Sequence, residues 1–169
     1  MVRIAPSILS GNFLNLEPDI RMVNKNADLI HIDVMDGSFV PNISFGFPVV
    51  EAIAKAVTVP MDVHLMIVNP DKYVERFAKT GAEMISFHLE AADQAGKDPR
   101  DIIAQIKSFG VKAGLVINPD IPVERLFPYI DDVDFFLIMS VFAGFGGQKF
   151  IPESIDRIKT LKAEMDRRG

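Results

Sequence analysis

Two short stretches carry side chains that can do chemistry together. Leu29 to Gly37 reads Leu-Ile-His-Ile-Asp-Val-Met-Asp-Gly, and Met61 to Met66 reads Met-Asp-Val-His-Leu-Met. Both have the composition of a β-strand, on which successive side chains point to opposite faces. Ile30, Ile32 and Val34 then share an apolar face, and His31, Asp33 and Met35 share the other. In the second stretch Val63 and Leu65 are apolar, and Asp62, His64 and Met66 face the opposite way. An imidazole beside a carboxylate on an inner face is unusual, because burying unpaired charge is costly. His31 and Asp33 can simply satisfy each other. With His64 added, two imidazoles and one carboxylate make a ligand set for one divalent metal ion: zinc, iron, manganese or cobalt.

A second candidate lies in Ala143-Gly144-Phe145-Gly146-Gly147-Gln148. Glycines let backbone N–H groups approach an anion with no side chain in the way, so the run reads equally as a phosphate cradle or as a flexible turn. Asp36-Gly37, by contrast, reads as a tight turn in which Asp36 is structural.

The elements that must position these groups alternate along the chain. Strands are expected at Arg3 to Ile8, Leu29 to Asp33, Met61 to Met66, Glu83 to His88, Lys112 to Ile117 and within Val133 to Val141. Helices are expected at Leu16 to Asn26, Pro48 to Ala56, Pro70 to Thr80, Pro99 to Phe109, Pro122 to Tyr129 and Pro152 to Arg168. Proline at a helix start and glycine after its end, as at Pro99 and Gly110, are the usual punctuation. Six β-α units in one domain spanning residues 1–169, without linker or composition shift, argue for a parallel sheet covered by helices. An open, doubly wound sheet would be apolar on both faces. Here one face is mixed: His31 and Asp33, His64, then Ser86, His88 and Glu90, then Gly114, Val116 and Asn118. That pattern favours a TIM-type (β/α)8 barrel, where the chemistry sits at the C-terminal strand ends.

Composition excludes several alternatives. Net charge is -5 with no basic cluster, so nucleic acid is not an expected partner. No cysteine is present, which rules out disulfides and thiolate ligands and fits a cytoplasmic protein. No apolar run approaches the length of a membrane span, and the N-terminus does not read as a signal peptide.

Read in order, the motifs resemble the ribulose-phosphate 3-epimerase family, of the ribulose-phosphate-binding barrels. They are Ala5-Pro6-Ser7-Ile8-Leu9-Ser10, His31-Ile32-Asp33-Val34-Met35-Asp36-Gly37 with Val40-Pro41-Asn42, and Asp62-Val63-His64-Leu65-Met66. They continue with His88-Leu89-Glu90, Asn118-Pro119 and Gly144-Phe145-Gly146-Gly147-Gln148-Lys149-Phe150. The resemblance implies interconversion of D-ribulose 5-phosphate and D-xylulose 5-phosphate by proton transfer at C3, in the pentose phosphate pathway. It implies His31, Asp33 and His64 as metal ligands, with Asp33 also one of two acid/base carboxylates. Ser7 and His64 would contact the phosphorylated ketose. Met35, Met66 and Met139 would cover the enediolate, and Gly144, Gly146 and Gly147 would meet the phosphate. A homo-oligomer is the expected assembly.

Two departures from the family stand out. Phe142 and Ala143 occupy places where the family usually has a polar residue and a proline, which is expected to loosen the loop. The family barrel has eight units and six are readable here, so about two more would be needed for closure. A truncated epimerase is therefore expected. It would lack the second catalytic Asp and fourth metal ligand that the family carries on its seventh strand, and would be nearly inactive alone. Two other functions compete. One is a hexulose (allulose) 6-phosphate 3-epimerase; the other is a non-catalytic phosphosugar- or metal-binding barrel fragment.

Overall fold

The computed structural model describes residues 1–169. Five strands form one parallel sheet: β1 (Ile30–Met35), β2 (Met61–Met66), β3 (Met84–His88), β4 (Lys112–Ile117) and β5 (Phe135–Ile138). Sheet order equals sequence order, so each strand pairs with its predecessor after one crossover. The helices are α1 (Glu17–Asn26), α2 (Phe47–Ala56), α3 (Val74–Ala78), α4 (Leu89–Ala95), α5 (Pro99–Ser108) and α6 (Ser154–Arg168). The start of α5 shows how sequence sets a boundary. Asp98 accepts the Arg100 N–H at 2.9 Å, and Pro99 occupies the first turn, where no amide hydrogen is needed.

One strand face is buried under the helices. Ile30, Ile32, Val63, Leu65, Ile85, Phe87, Ala113 and Leu115 join a single core cluster with Val50, Ile53, Val74, Phe77, Ile102 and Ile106. The other face carries His31, Asp33, His64, Ser86 and His88. That division marks an incomplete (β/α) barrel, an arc of the TIM architecture. No helix is long and apolar enough to cross a membrane.

The structure departs from the sequence reading in places that have physical reasons. Residues 3–8 form no ladder strand. They run beside β1, with Ile4 O accepting from Asp28 and Leu29 and Pro6 O from His31, and Ser7 bridging to His31. Pro6 has no N–H to return, and Ile4 N donates to the Asp28 carboxylate instead. The expected helix from Pro70 to Thr80 splits into a 3-10 turn (Pro70–Lys72) and α3, separated by Tyr73. Pro122 to Tyr129 is a 3-10 helix, Val123–Tyr129, with Pro128 inside it. Helix α4 was not expected, and it takes Glu90 off the strand and onto a helix.

Inside the arc, Gly114 makes room for the ring of Phe135 on the neighbouring strand; a Cβ at Gly114 would lie 2.2 Å from that ring. Gly114→Ala is expected to cost about 1–3 kcal/mol through forced displacement of Phe135, read as a lower urea midpoint at unchanged slope.

Candidate active site

Strands β1 and β2 pair so that Asp33 stands opposite His64 and His31 opposite Asp62. The ligand atoms of His31, Asp33 and His64 all lie within 4.8 Å of one another. Asp33 is the junction. Its Oδ1 is 3.1 Å from Nδ1 of His64 and 3.3 Å from Nε2 of His31, and its Oδ2 accepts from the Ser7 hydroxyl at 2.5 Å. His31 turns its other nitrogen, Nδ1, to Oδ2 of Asp62 at 2.8 Å. A carboxylate behind an imidazole is the usual support of a metal-binding histidine, since it fixes the tautomer and raises ligand basicity. Two nitrogens and an oxygen thus converge, and Oδ1 of Asp62 is buried without a partner. The donor set fits a divalent cation, and its hardness suits several first-row metals rather than one.

The cluster polarises itself. Burial disfavours charge on His31, but the hydrogen bonds and charges of Asp33 and Asp62 outweigh it, and the His31 pKa is raised to about 10. Burial would likewise neutralise Asp33, yet His31 and His64 hold its carboxyl far below the usual range. For His64 burial prevails, aided by the neighbouring His88, and its pKa falls to about 4 despite Asp33.

Asp33 opens onto a cavity of about 180 Å³. Ser7, Met35, Met66 and Met139 line it with Asp33, and Gly144 and Gly146 close its far side. His31 and His64 touch this cavity only through Asp33, and Gly147 lies outside the lining. Asp33 is the only carboxylate in the wall. A larger apolar cavity of about 240 Å³, between β1 and Phe77, holds none of the cluster.

The glycine loop is held at both shoulders. Asn42 Nδ2 donates to Gly144 O at 2.8 Å, across 102 residues of chain, and Gln148 Nε2 donates to the carbonyls of Phe142 and Phe145. Gly144 sits at φ 118°, a conformation that favours glycine. The loosening expected at Ala143 is countered. Its N–H donates to Asn118 Oδ1 at 2.9 Å, a bond that a proline could not make.

Other side chains position this site from outside the cluster. Asp62 shares a face with His64, as the alternation in the second stretch predicts, and its role behind His31 comes from the pairing of β1 with β2. Arg157, from α6, donates to the carbonyls of Asn118, Ile121 and Met139 and ties the ends of β4 and β5 together. No local pattern signals that role. Asp36 accepts from the N–H groups of Ser38, Phe39 and Val68, so it shapes the loop after β1, the structural part expected of it.

Known proteins share this chain's sequence and its fold. Residues 3–169 match the model of the ribulose-phosphate 3 epimerase family. The chain is 48% identical over 170 residues to a ribulose-phosphate 3-epimerase of Bacillus subtilis, covering 100% of this chain and 76% of that protein. It is 48% identical over 167 residues to the Synechocystis ribulose-phosphate 3-epimerase, covering 98% of this chain and 72% of that one. Among solved structures, a tryptophan synthase alpha-subunit mutant from Pyrococcus furiosus superposes with a TM-score of 0.68 at 16% identity, over 95% of this chain and 74% of that one. Phosphoribosyl anthranilate isomerase from Thermococcus kodakaraensis gives 0.56 at 16% identity, over 96% and 74%. These two likenesses concern the barrel fold alone. With a match over nearly its whole length and close relatives at this identity, the chain belongs to the ribulose-phosphate 3-epimerase family.

Proposed function

We propose that the chain acts on C3 of a pentulose 5-phosphate, in the interconversion of D-ribulose 5-phosphate and D-xylulose 5-phosphate, with a divalent cation held by His31, Asp33 and His64. The observation that carries this reading is the position of Asp33. One carboxylate meets Ser7, His31 and His64 and also faces the cavity lined by three methionines and the glycine loop. A cation bound there supplies Lewis acidity to the oxygen that gains charge as the C3 proton leaves. Asp33, held ionised by its imidazole neighbours, is in the state a base requires. Met35, Met66 and Met139 offer polarizable contact that cannot reprotonate the enediolate. The N–H groups around Gly144 and Gly146 suit the phosphate.

Inversion at C3 needs a proton carrier on each face of the enediolate, and this cavity wall contains one. Asp33 alone can remove a proton and return it to the same face. In deuterium oxide, the 169-residue chain with zinc or cobalt is therefore expected to exchange the C3 hydrogen of one pentulose 5-phosphate. Conversion to the other epimer is expected about 10²–10⁴-fold below that of a relative with both carboxylates. Proton NMR of the sugar reads both rates at once. Full-rate epimerisation would defeat the single-carboxylate reading. Cation binding with no exchange would favour the non-catalytic binding module, which the single carboxylate also supports.

A further inference from the structure

His88 is a fully buried imidazole to which the proposed reaction assigns no task. Its Nε2 lies 3.0 Å from Nε2 of His64. Two neutral ring nitrogens at that distance share one hydrogen, so one ring donates and the other accepts. On its far side, His88 Nδ1 is 3.6 Å from Oε1 of Glu90 and 3.5 Å from Nδ2 of Asn118. The Asn118 amide is not free to turn. Its Oδ1 accepts from Ala143, so its Nδ2 is the donor, and it donates to Glu90 Oε1 at 3.0 Å. The Asn118 backbone N–H donates to the same oxygen at 2.9 Å. Phe39 packs against the His88 ring, with centroids 4.8 Å apart, and Glu90 Oε2 is buried without a partner. A carboxylate is thus held in a fixed place behind a fixed imidazole.

The direction of the hydrogens follows from the other end. His64 Nδ1 is the nitrogen that faces Asp33. Where it offers its lone pair to a cation, the ring hydrogen sits on Nε2 and must be donated to His88. His88 then accepts at Nε2 and carries its own hydrogen on Nδ1, where the nearest acceptor is the Glu90 carboxylate, a charge contact at 3.6 Å rather than a hydrogen bond. We infer that His88 and Glu90 are a positioning pair for His64, selecting its Nε2–H tautomer and so keeping Nδ1 open toward the cation. The inference rests on the cation reading of His64. In the opposite arrangement His64 Nδ1 donates to Asp33, His88 donates from Nε2, and His88 Nδ1 is left to accept a long contact from Asn118. Each ring keeps one hydrogen in both arrangements, so the pair exchanges tautomers without a change of charge.

The test uses the unaltered chain first. It has three histidines, so long-range proton–nitrogen correlation spectra of the zinc-loaded protein resolve every ring. Expected is a hydrogen on Nε2 of His64 and on Nδ1 of His88. A zinc-loaded His88 carrying its hydrogen on Nε2, or on both nitrogens, overturns the pair. Glu90→Gln keeps shape and removes the acceptor charge, and is expected to weaken zinc binding about 10- to 100-fold. Unchanged zinc affinity in that variant also overturns the inference. His88→Gln, whose amide oxygen can still accept from His64, is expected to bind zinc more tightly than His88→Leu; equal affinities overturn it. If the unaltered chain takes up neither zinc nor cobalt, the cation reading itself falls, an outcome distinct from a loaded protein with the wrong tautomer.

Discussion

Replacing Asp33 by asparagine is expected to remove cation binding and C3 proton exchange together. The substitution is nearly isosteric, so β1 and its core contacts stay in place. What changes is the charge at the junction: Ser7, His31 and His64 all point hydrogens or lone pairs at this one carboxylate. An amide cannot act as the base, and it presents an N–H where a ligand oxygen stood. Exchange into deuterium oxide should fall by about 10²–10⁴-fold, the usual contribution of a positioned base. Zinc affinity should fall by more than the roughly 10- to 100-fold typical of supporting groups, because a direct ligand is lost. Titration of zinc followed by NMR of the sugar separates the two effects. Retained zinc affinity would remove Asp33 from the ligand set, and retained exchange would place the base elsewhere.

The second expected result is a stability maximum near neutral pH for the chain in chelator. His31 and His64 titrate in opposite directions from the same ordinary value of 6.5. The folded His31 pKa is raised to about 10. Between about pH 6.5 and 10 the folded state binds the extra proton, so the His31 contribution, fully present below about pH 6.5, is lost as pH rises through about 10. The folded His64 pKa is lowered to about 4. Between about pH 4 and 6.5 the unfolded chain binds the extra proton, so stability rises with pH there. Asp33, depressed in the folded state, adds to the acid limb: its contribution is present above its ordinary value of 3.8 and lost below it. Each limb amounts to a few kcal/mol, on the order expected for shifts of this size. Urea unfolding from pH 4 to 10 should trace the bell. Zinc should stabilise most on the alkaline side, where it no longer competes with the His31 proton. A flat profile in chelator would show that the cluster is not coupled as the geometry implies.

The strands that carry the cluster were legible because each has one apolar face and one mixed face, and period two put His31, Asp33 and His64 on the mixed side. Residues 112–117 read cleanly for the same reason. The N-terminal segment misled because its apolar residues suit a strand, while Pro6 lacks the donor that a ladder requires. Glu90 misled in the opposite sense. Read as a continuation of the strand, it shared a face with His88; the chain turns into α4 after His88, and Glu90 reaches that imidazole from a helix. The links from His88 to Asn118 and from Asn118 to Ala143 depend on how adjacent strands are staggered and where a loop returns. Nothing local in the sequence encodes either. The ties of Asn42 to Gly144 and of Arg157 to three carbonyls are long-range for the same reason.

Strands β1 and β5 are the two outer strands of the sheet. Met139, Phe142 and the glycine loop follow β5 directly. His31, Asp33 and His64 sit on β1 and β2, at the opposite side of the sheet. The site is therefore assembled from two separate parts of the sheet: His31, Asp33 and His64 stand on the first two strands, and the wall with Met139, Phe142 and the glycines comes from the segment after β5.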